Sequence, residues 1–257
     1  RSYNKSMPEE INRITCDHCS TLLFSPTQQG IENLIKEGFS KAIHTKATVD
    51  RPLIFKTGDI MFDNSMFFSN IAKEKVGIVE QLELTKEAFI LCTIHRDSNT
   101  DNTENLNQII RGLLQIQRVS NQSIVLPLHP RTRKKMTELL NPSVAKELSD
   151  NSKIHVIDPA GFLDMISLES NCSLVITDSG GVQKEAFFFQ KPCVILREQT
   201  EWVEIVENGN ALLVGSSEEK LIKAYHQLTT KKDYTYPPFF GDGHASEEIC
   251  RLMLEHL

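Results

Sequence analysis

Residues 174–186 have the sequence LVITDSGGVQKEA. The first four are apolar or β-branched and indicate a buried strand, and the residues after Asp178 and Ser179 have a helical pattern. Two adjacent glycines let the backbone approach a ligand closely, and the N–H groups at the start of a helix favour a phosphate. An ordinary strand-to-helix turn capped by Ser179 explains the same residues equally well. The segment therefore predicts a strand–turn–helix unit, with phosphate binding as one of two interpretations.

This unit belongs to a longer alternation of apolar runs and helical patterns that starts near residue 88. Strands are predicted at 89–94, 124–128, 154–157, 174–177, 193–196 and 211–214. Helices are predicted at 103–119, 132–140, 161–169, 182–189, 202–208 and 218–229. Buried strands joined by helices are typical of a parallel, doubly wound sheet.

The two ends of the chain have shorter elements. Strands are predicted at 21–24 and 53–56, and helices at 9–16, from Thr27 to residue 37, and from Asp59 to about residue 72. The charged segment 73–86 is predicted to be a linker, and 245–257 a final amphipathic helix. The first part is typical of a portion of another α/β domain.

Composition excludes several classes of partner. The 28 basic and 34 acidic residues give a net charge of -6, which argues against nucleic acid as the main partner. No apolar run approaches the roughly 20 residues of a membrane helix, so no membrane partner is expected. Cys16 and Cys19 form the one C-x-x-C pair among six cysteines, and no second pair at zinc spacing follows. Neither a metal site nor a disulfide framework is predicted, which favours a reducing cytoplasm.

Polar residues follow several predicted strands directly, where ligands bind in open α/β sheets. His95 and Arg96 follow the strand at 89–94, His129 follows the strand at 124–128, and Arg197 follows the strand at 193–196. Each alone is compatible with a solvated loop, a structural histidine or a helix cap. Together they fall on one rim of one sheet and indicate a ligand site. Glu185, about one turn into its helix, is placed to accept hydrogen bonds from ribose hydroxyls.

Two carboxylates, Glu9 and Glu10, stand at the start of the first predicted helix, in the sequence PEEINR at 8–13. Negative charge is favourable there, so they have a structural explanation as partners of the helix dipole. A pair of acid–base carboxylates is the alternative.

Together these motifs resemble those of the non-hydrolysing UDP-N-acetylglucosamine 2-epimerases. They occur in the family's order across almost the whole chain: PEEINR at 8–13, LFSPT at 23–27, TGD at 57–59, HR at 95–96, LHP at 128–130, TDSGGVQKEA at 177–186, LREQTE at 196–201 and GDG at 241–243. The resemblance implies a glycosyltransferase-B-type α/β architecture of two Rossmann-like domains. It also implies interconversion of UDP-N-acetylglucosamine and UDP-N-acetylmannosamine by anti elimination and re-addition of UDP, with neither a metal nor a nicotinamide cofactor.

Residue roles are carried over by position. Catalytic roles are implied for Glu9, Arg13 and His95. Contacts to UDP are implied for Ser179, Gly180, Gly181 and Glu185. Contacts to a second, activating UDP-sugar are implied for Arg96 and His129. The family usually has T-E-R-P-E where this chain has Thr200-Glu201-Trp202-Val203-Glu204. Because the arginine is replaced by Trp202, Arg197 or Arg96 is expected to carry more of the UDP contact, and a different UDP-sugar is an alternative.

The resemblance also gives an expected organisation. Residues 1–73 are the remainder of an N-terminal Rossmann-like domain, residues 74–235 a UDP-binding Rossmann-like domain, and residues 236–257 a helix that crosses back to the first domain. Arg1-Ser2 resembles the end of the family's E-A-G-L-R-S segment, so a truncated and nearly inactive chain is expected, with an active full-length parent. The family is commonly a homodimer. A glycosyltransferase of the same fold and a non-catalytic UDP-sugar-binding module remain alternatives.

Overall fold

A computed structural model describes residues 1, 3, 5, 7–40, 46–73 and 77–256. The chain divides by its contacts into unit 1, Arg1–Phe67 with Pro237–Leu257, and unit 2, Phe68–Tyr236. The expected boundaries were 73/74 and 235/236, and residues 74–76 beside the first of them lie outside the described residues.

Helices and strands alternate along most of the chain. The helices are α1 (Pro8–His18), α2 (Gln28–Lys36), α3 (Ile60–Lys73), α4 (Ile78–Gln81), α5 (Asp97–Thr100), α6 (Thr103–Ser120), α7 (Pro130–Leu139), α8 (Pro142–Asp150), α9 (Phe162–Asn171), α10 (Gly180–Phe188), α11 (Val203–Glu207), α12 (Glu218–Thr230) and α13 (Ala245–His256). The strands are β1 (Leu22–Ser25), β2 (Leu53–Lys56), β3 (Phe89–Thr93), β4 (Ser123–Pro127), β5 (Ile154–Ile157), β6 (Leu174–Thr177), β7 (Cys193–Ile195) and β8 (Ala211–Leu213).

In unit 1, β1 and β2 pair in parallel, with Leu22 opposite Leu53. Thr27 caps α2, because its side chain accepts a hydrogen bond from the N–H of Gly30 at 3.1 Å. Gly38, which follows α2, has a φ of +98°, a conformation that favours glycine at a helix end.

Two glycine motifs of unit 1 meet each other. The N–H of Asp59 donates to the carbonyl of Phe240 at 2.8 Å. A Cβ atom on Gly58 would lie 2.8 Å from that carbonyl oxygen, and one on Gly241 would lie 2.9 Å from the Cα of Gly58. Gly58 of the TGD motif and Gly241 of the GDG motif are therefore explained by a close backbone contact that only glycines permit.

In unit 2, six parallel strands form one sheet in the order β5-β4-β3-β6-β7-β8. This is the doubly wound order, in which the direction of the strand sequence reverses between β3 and β6. The residues of β3 are all buried, and Leu106, Ile109 and Leu113 of α6 are fully buried in the core around that sheet. The six predicted strands are confirmed, each to within one residue at either end.

Three short helices were not predicted. α8 carries only two buried residues, Val144 and Leu148, in a polar sequence that begins with Pro142. α5 is a single turn after β3. The linker predicted at 73–86 is wrong for its described part, because α4 buries Val79 and packs against α9. The four-residue helices α4 and α5 are too short for the spacing of their apolar residues to show a helical period in the sequence.

Candidate functional site

The loops that follow β3 and β6 begin side by side at the reversal of strand order. Thr93 and Thr177 are register partners at the ends of these strands, and their hydroxyl oxygens are 2.6 Å apart and buried. Ligands of doubly wound folds bind at this position, outside the carboxyl ends of the strands.

Asp178 is the residue that joins these loops. Its carboxylate is fully buried and accepts hydrogen bonds from the backbone N–H groups of His95 and Arg96, each at 3.0 Å. It also accepts from Nδ2 of Asn99 at 2.9 Å, and the same amide donates to the carbonyl of Leu196 at 3.1 Å. The buried carboxylate thus joins the loops after β3 and β6, and its hydrogen bonds offset the cost of its burial. Asn99 extends this link to the loop after β7.

The start of α10 presents backbone donors at this edge. Ser179 caps the helix by accepting from the N–H of Val182 at 3.5 Å, and its own N–H donates to Oγ1 of Thr177 at 3.0 Å. Among the residues that the structure describes, the N–H groups of Gly180 and Gly181 have no hydrogen-bond acceptor. Two oriented donors at a helix start are suited to an anion.

The loop after β7 lies against this first turn of α10. A Cβ atom on Gly180 would lie 3.6 Å from Nε1 of Trp202 and 3.9 Å from Nη1 of Arg197. The indole Nε1 of Trp202 donates to the carbonyl of Gly180 at 2.9 Å. Trp202 therefore fixes the position of its loop relative to the helix start.

Two positively charged side chains lie near Gly180. Arg197 makes two bonds to the carboxylate of Glu201, at 2.8 and 3.1 Å, with both side chains buried. Its charge is therefore balanced within the protein. Lys184 is also buried, and its Nζ lies 4.5 Å from the centre of the Trp202 ring in a cation–π contact.

Glu185 is half-buried on α10 and is hydrogen-bonded to Glu169 of α9. Glu169 is only 1% exposed. Burial in the first place, and then the charge and hydrogen bond of Glu185, raise the pKa of the Glu169 carboxyl well above its ordinary value. Glu185, which was predicted to contact the ribose, thus has a second carboxyl group beside it.

Two histidines end neighbouring strands of the sheet. Burial of the imidazole, which removes water from its charged form, lowers the pKa of His95. The Asp178 carboxylate acts in the opposite direction, and His129 lowers the pKa further. His95 is therefore mostly neutral near pH 7, as a proton acceptor must be. His129 caps α7, because its Nδ1 accepts from the N–H of Arg131 at 3.3 Å.

The predicted catalytic residues of unit 1 lie on α1. Glu9 is exposed in the first turn, whereas Glu10 is fully buried. Nη1 of Arg13 lies 3.2 Å from a carboxylate oxygen of Glu10, and the N–H of Tyr3 donates to the other oxygen at 3.2 Å. Arg13, which was expected beside Glu9, is thus paired with Glu10.

The structure brings most of the predicted residues to one edge of the unit 2 sheet: His95, Arg96, His129, Ser179, Gly180, Gly181, Glu185 and Arg197. Sequence reasoning missed Asn99, the contact of Lys184 with Trp202 and the bridging role of Asp178 at this edge, and it missed Glu169 on α9. Only Asp178 has a local signal, since it directly follows a buried strand.

Within the described ranges, no helix is long and apolar enough to span a membrane. The same residues contain no cluster of three or more histidine, cysteine, aspartate or glutamate side chains arranged to hold a metal ion. Cys16 and Cys19 are free, exposed thiols.

Similar proteins are known for nearly the whole chain. A UDP-2,3-diacetamido-2,3-dideoxy-D-glucuronate 2-epimerase from Pseudomonas aeruginosa is 42% identical over an alignment that covers 98% of this chain and 65% of that protein. A UDP-N-acetylglucosamine 2-epimerase from Methanocaldococcus jannaschii is 38% identical, covering 98% of this chain and 66% of that protein. The chain therefore spans about two thirds of the length of these relatives.

A solved structure gives the same result. The crystal structure of Methanocaldococcus jannaschii UDP-GlcNAc 2-epimerase in complex with UDP-GlcNAc and UDP matches with a TM-score of 0.85 and 37% identity, covering 99% of this chain and 66% of that one. The predicted glycosyltransferase-B-type α/β fold is confirmed by this match. A family model described as UDP-N-acetylglucosamine 2-epimerase matches residues 1–254. The chain belongs to the UDP-N-acetylglucosamine 2-epimerase family.

Proposed function

We propose that the edge of the unit 2 sheet binds the UDP moiety of a nucleotide sugar, with the diphosphate on the N–H groups of Gly180 and Gly181. The observation that carries this proposal is the pair of oriented donors at the start of α10, next to the buried Asp178. Glu185 accepts from ribose hydroxyls. Lys184 and Arg197 contribute positive charge near the diphosphate, and Glu201 balances part of the charge of Arg197.

The reaction that we propose for a protein containing these residues is epimerisation of UDP-N-acetylglucosamine at C2. A base takes the C2 proton, the C1–O bond breaks with its electron pair going to the β-phosphate oxygen, and a C1=C2 double bond forms. UDP then adds back to C1 while a proton reaches C2 from the other face. Donors directed at the leaving oxygen stabilise the charge that develops there.

Acid–base roles fall to Glu9, with Arg13 on the same helix, and to His95. The lowered pKa of His95 keeps its imidazole neutral and able to accept a proton near pH 7. Arg96 and His129 are proposed as contacts to a second UDP-sugar. We also propose that the protein is a homodimer and that it resides in a reducing cytoplasm.

For the 257 residues alone we propose UDP binding with little or no turnover. The relatives are longer than the matched region, and their remaining third has no counterpart within these residues. Calorimetry on the 257-residue chain should detect saturable UDP binding, and its absence would contradict the nucleotide site.

Catalysis is tested on the longest expressible protein that contains this sequence. In D₂O, the wild type should place deuterium at C2 of UDP-N-acetylglucosamine, and Glu9→Gln should lose this exchange by about 10²- to 10⁴-fold, the usual range for a general acid or base. A glycosyltransferase would not exchange C2, and a binding module would neither exchange nor transfer.

One comparison favours a second substrate. The relative at 42% identity is named for a UDP-2,3-diacetamido-glucuronate, an acidic sugar nucleotide. Trp202, which replaces the usual family arginine, stands beside the proposed diphosphate site, and so does Lys184. Exchange at C2 should therefore be measured with both sugar nucleotides, and the ratio of the two kcat/KM values decides between them.

A further inference from the structure

Glu169 is a buried carboxyl that the proposed function does not use. It lies on α9, is 1% exposed, and is hydrogen-bonded to Glu185 on α10. Its Oε2 atom is buried and has no hydrogen-bond partner within the described part of the chain. An ionised carboxylate in this position would be both unsolvated and next to a second carboxyl.

The carboxyl groups of Glu169 and Glu185 therefore share a proton. Two carboxyl groups in hydrogen-bond contact cannot both be ionised at low cost, so one of them holds a proton. The more deeply buried member is the better site for it, since a neutral acid loses less on burial than a charged one. The unpartnered Oε2 fits the carbonyl oxygen of a neutral acid, whose hydroxyl donates to Glu185. Burial raises the pKa of Glu169 in the same direction.

We propose that Glu169 is a positioning residue for nucleotide binding: its carboxylic acid proton holds the Glu185 carboxylate in the orientation that accepts ribose hydroxyls. This inference rests on the proposed function, because it names a residue that orients the ribose contact of the same site. It makes the affinity for the nucleotide depend on the protonation of a side chain that does not touch it.

Other titratable groups around Glu169 do not replace this proton. Directly after α9, the thiol of Cys172 donates to the backbone carbonyl of Glu169 at 3.3 Å, and burial raises the pKa of that thiol to about 12. Lys191, whose charge acts on Cys172, is paired with Glu87 at 3.0 Å. On α4, which also packs against α9, Glu80 accepts from the N–H of Gly77 at 3.2 Å.

The sign of the pH effect follows from the raised pKa. Below it, Glu169 is neutral and donates to Glu185. As pH rises through it, Glu169 loses the proton, the two carboxylates repel, and Glu185 leaves its orientation. UDP affinity should therefore be highest at lower pH and fall as pH rises.

The test is the pH profile of affinity, measured by calorimetry from about pH 5 to about pH 9. The probes are UDP and UDP-N-acetylglucosamine. The terminal phosphate of UDP itself titrates near a pKa of about 6, whereas that of the sugar nucleotide is esterified, so the second probe isolates the protein group.

Two variants separate the hydrogen bond that Glu169 donates to Glu185 from the space that its side chain fills. Glu169→Gln keeps a donor to Glu185 and should bind UDP-N-acetylglucosamine, whose phosphates do not titrate in this range, with an affinity that no longer falls as pH rises. Glu169→Leu keeps volume but removes the donor and should bind about tenfold more weakly at every pH, as expected when a hydrogen bond to a charged group is lost. Glu138→Gln, an exposed carboxylate on α7, should keep the wild-type profile.

An unchanged pH dependence in Glu169→Gln, or full affinity in Glu169→Leu, would overturn the positioning role while leaving the nucleotide site intact. Failure of the wild type to bind either probe at any pH would instead overturn the proposed function.

Discussion

The starts of α10 and α1 are both helix N-termini that the family resemblance assigns to the reaction, but they are built in opposite ways. α10 follows a buried strand, has a serine cap and has no acidic residue in its first turn. α1 has no side-chain cap at Met7 and carries Glu9 and Glu10 in its first turn. One helix start therefore leaves its donors and its positive dipole end open to an anion, and the other already has negative charge there.

This difference assigns different chemistry to the two helices. At α10, Asp178 and Ser179 fix the backbone and leave the N–H groups of two glycines for a ligand. At α1, Glu10 is buried and paired with Arg13, and Glu9 remains exposed. α10 is suited to hold a diphosphate, and α1 presents one carboxylate suited to move a proton.

Removal of the Asp178 carboxylate should have the largest effect. Asp178→Ala leaves three N–H donors unsatisfied in a buried region, so the free energy of unfolding should fall by about 3–5 kcal/mol in urea titrations. Asp158→Ala is the matched control, since Asp158 follows β5 at the same sheet edge but is 92% exposed in its ion pair with Arg133. Little change is expected there. Equal losses in both variants would contradict the bridging role of Asp178.

The next effect separates the two carboxylates of α1. Glu10→Gln weakens the ion pair between a fully buried carboxylate and the part-exposed Arg13, so the free energy of unfolding should fall by about 1–3 kcal/mol. Glu9→Gln should leave stability unchanged, because Glu9 is exposed. Urea titration of both variants decides this, and a larger loss in Glu9→Gln would reverse the assignment of the two residues.

Two serine caps in unit 2 test which helix start holds the nucleotide. Ser179 caps α10, and Ser217 caps α12 by accepting from the N–H of Lys220 at 3.3 Å. Either change to alanine should lower the free energy of unfolding by about 1 kcal/mol. Only Ser179→Ala should also weaken UDP binding in calorimetry. Weaker binding in Ser217→Ala to the same degree would move the site away from α10.

The smallest expected effect concerns Lys184. Lys184→Met keeps the aliphatic stem against Trp202 but removes one positive charge, so UDP affinity should fall about threefold, or about 0.6 kcal/mol. Lys220→Met, on the exposed face of α12, should bind UDP as the wild type does. Unchanged affinity in Lys184→Met would exclude this lysine from the diphosphate contact.

Much of the fold was predictable because the unit 2 strands are continuous apolar runs bounded by polar residues. The site residues at the ends of these strands were predictable for the same reason. The bridging role of Asp178 was not, because its partners at His95 and Arg96 lie more than 80 positions away in the chain. Glu201, four residues after Arg197, was close enough to see, but only the folded loop shows that the two side chains pair. The Lys184–Trp202 contact likewise depends on how that loop packs against α10.

The central claim is that the N–H groups of Gly180 and Gly181 hold the diphosphate of UDP. It is tested most directly by ¹⁵N-glycine labelling of the chain, which has 12 glycines, and titration with UDP. Saturable shifts of the Gly180 and Gly181 amide signals are expected, assigned through Gly180→Ala and Gly181→Ala, with Gly112 inside α6 unmoved. UDP binding that leaves both signals in place would contradict it.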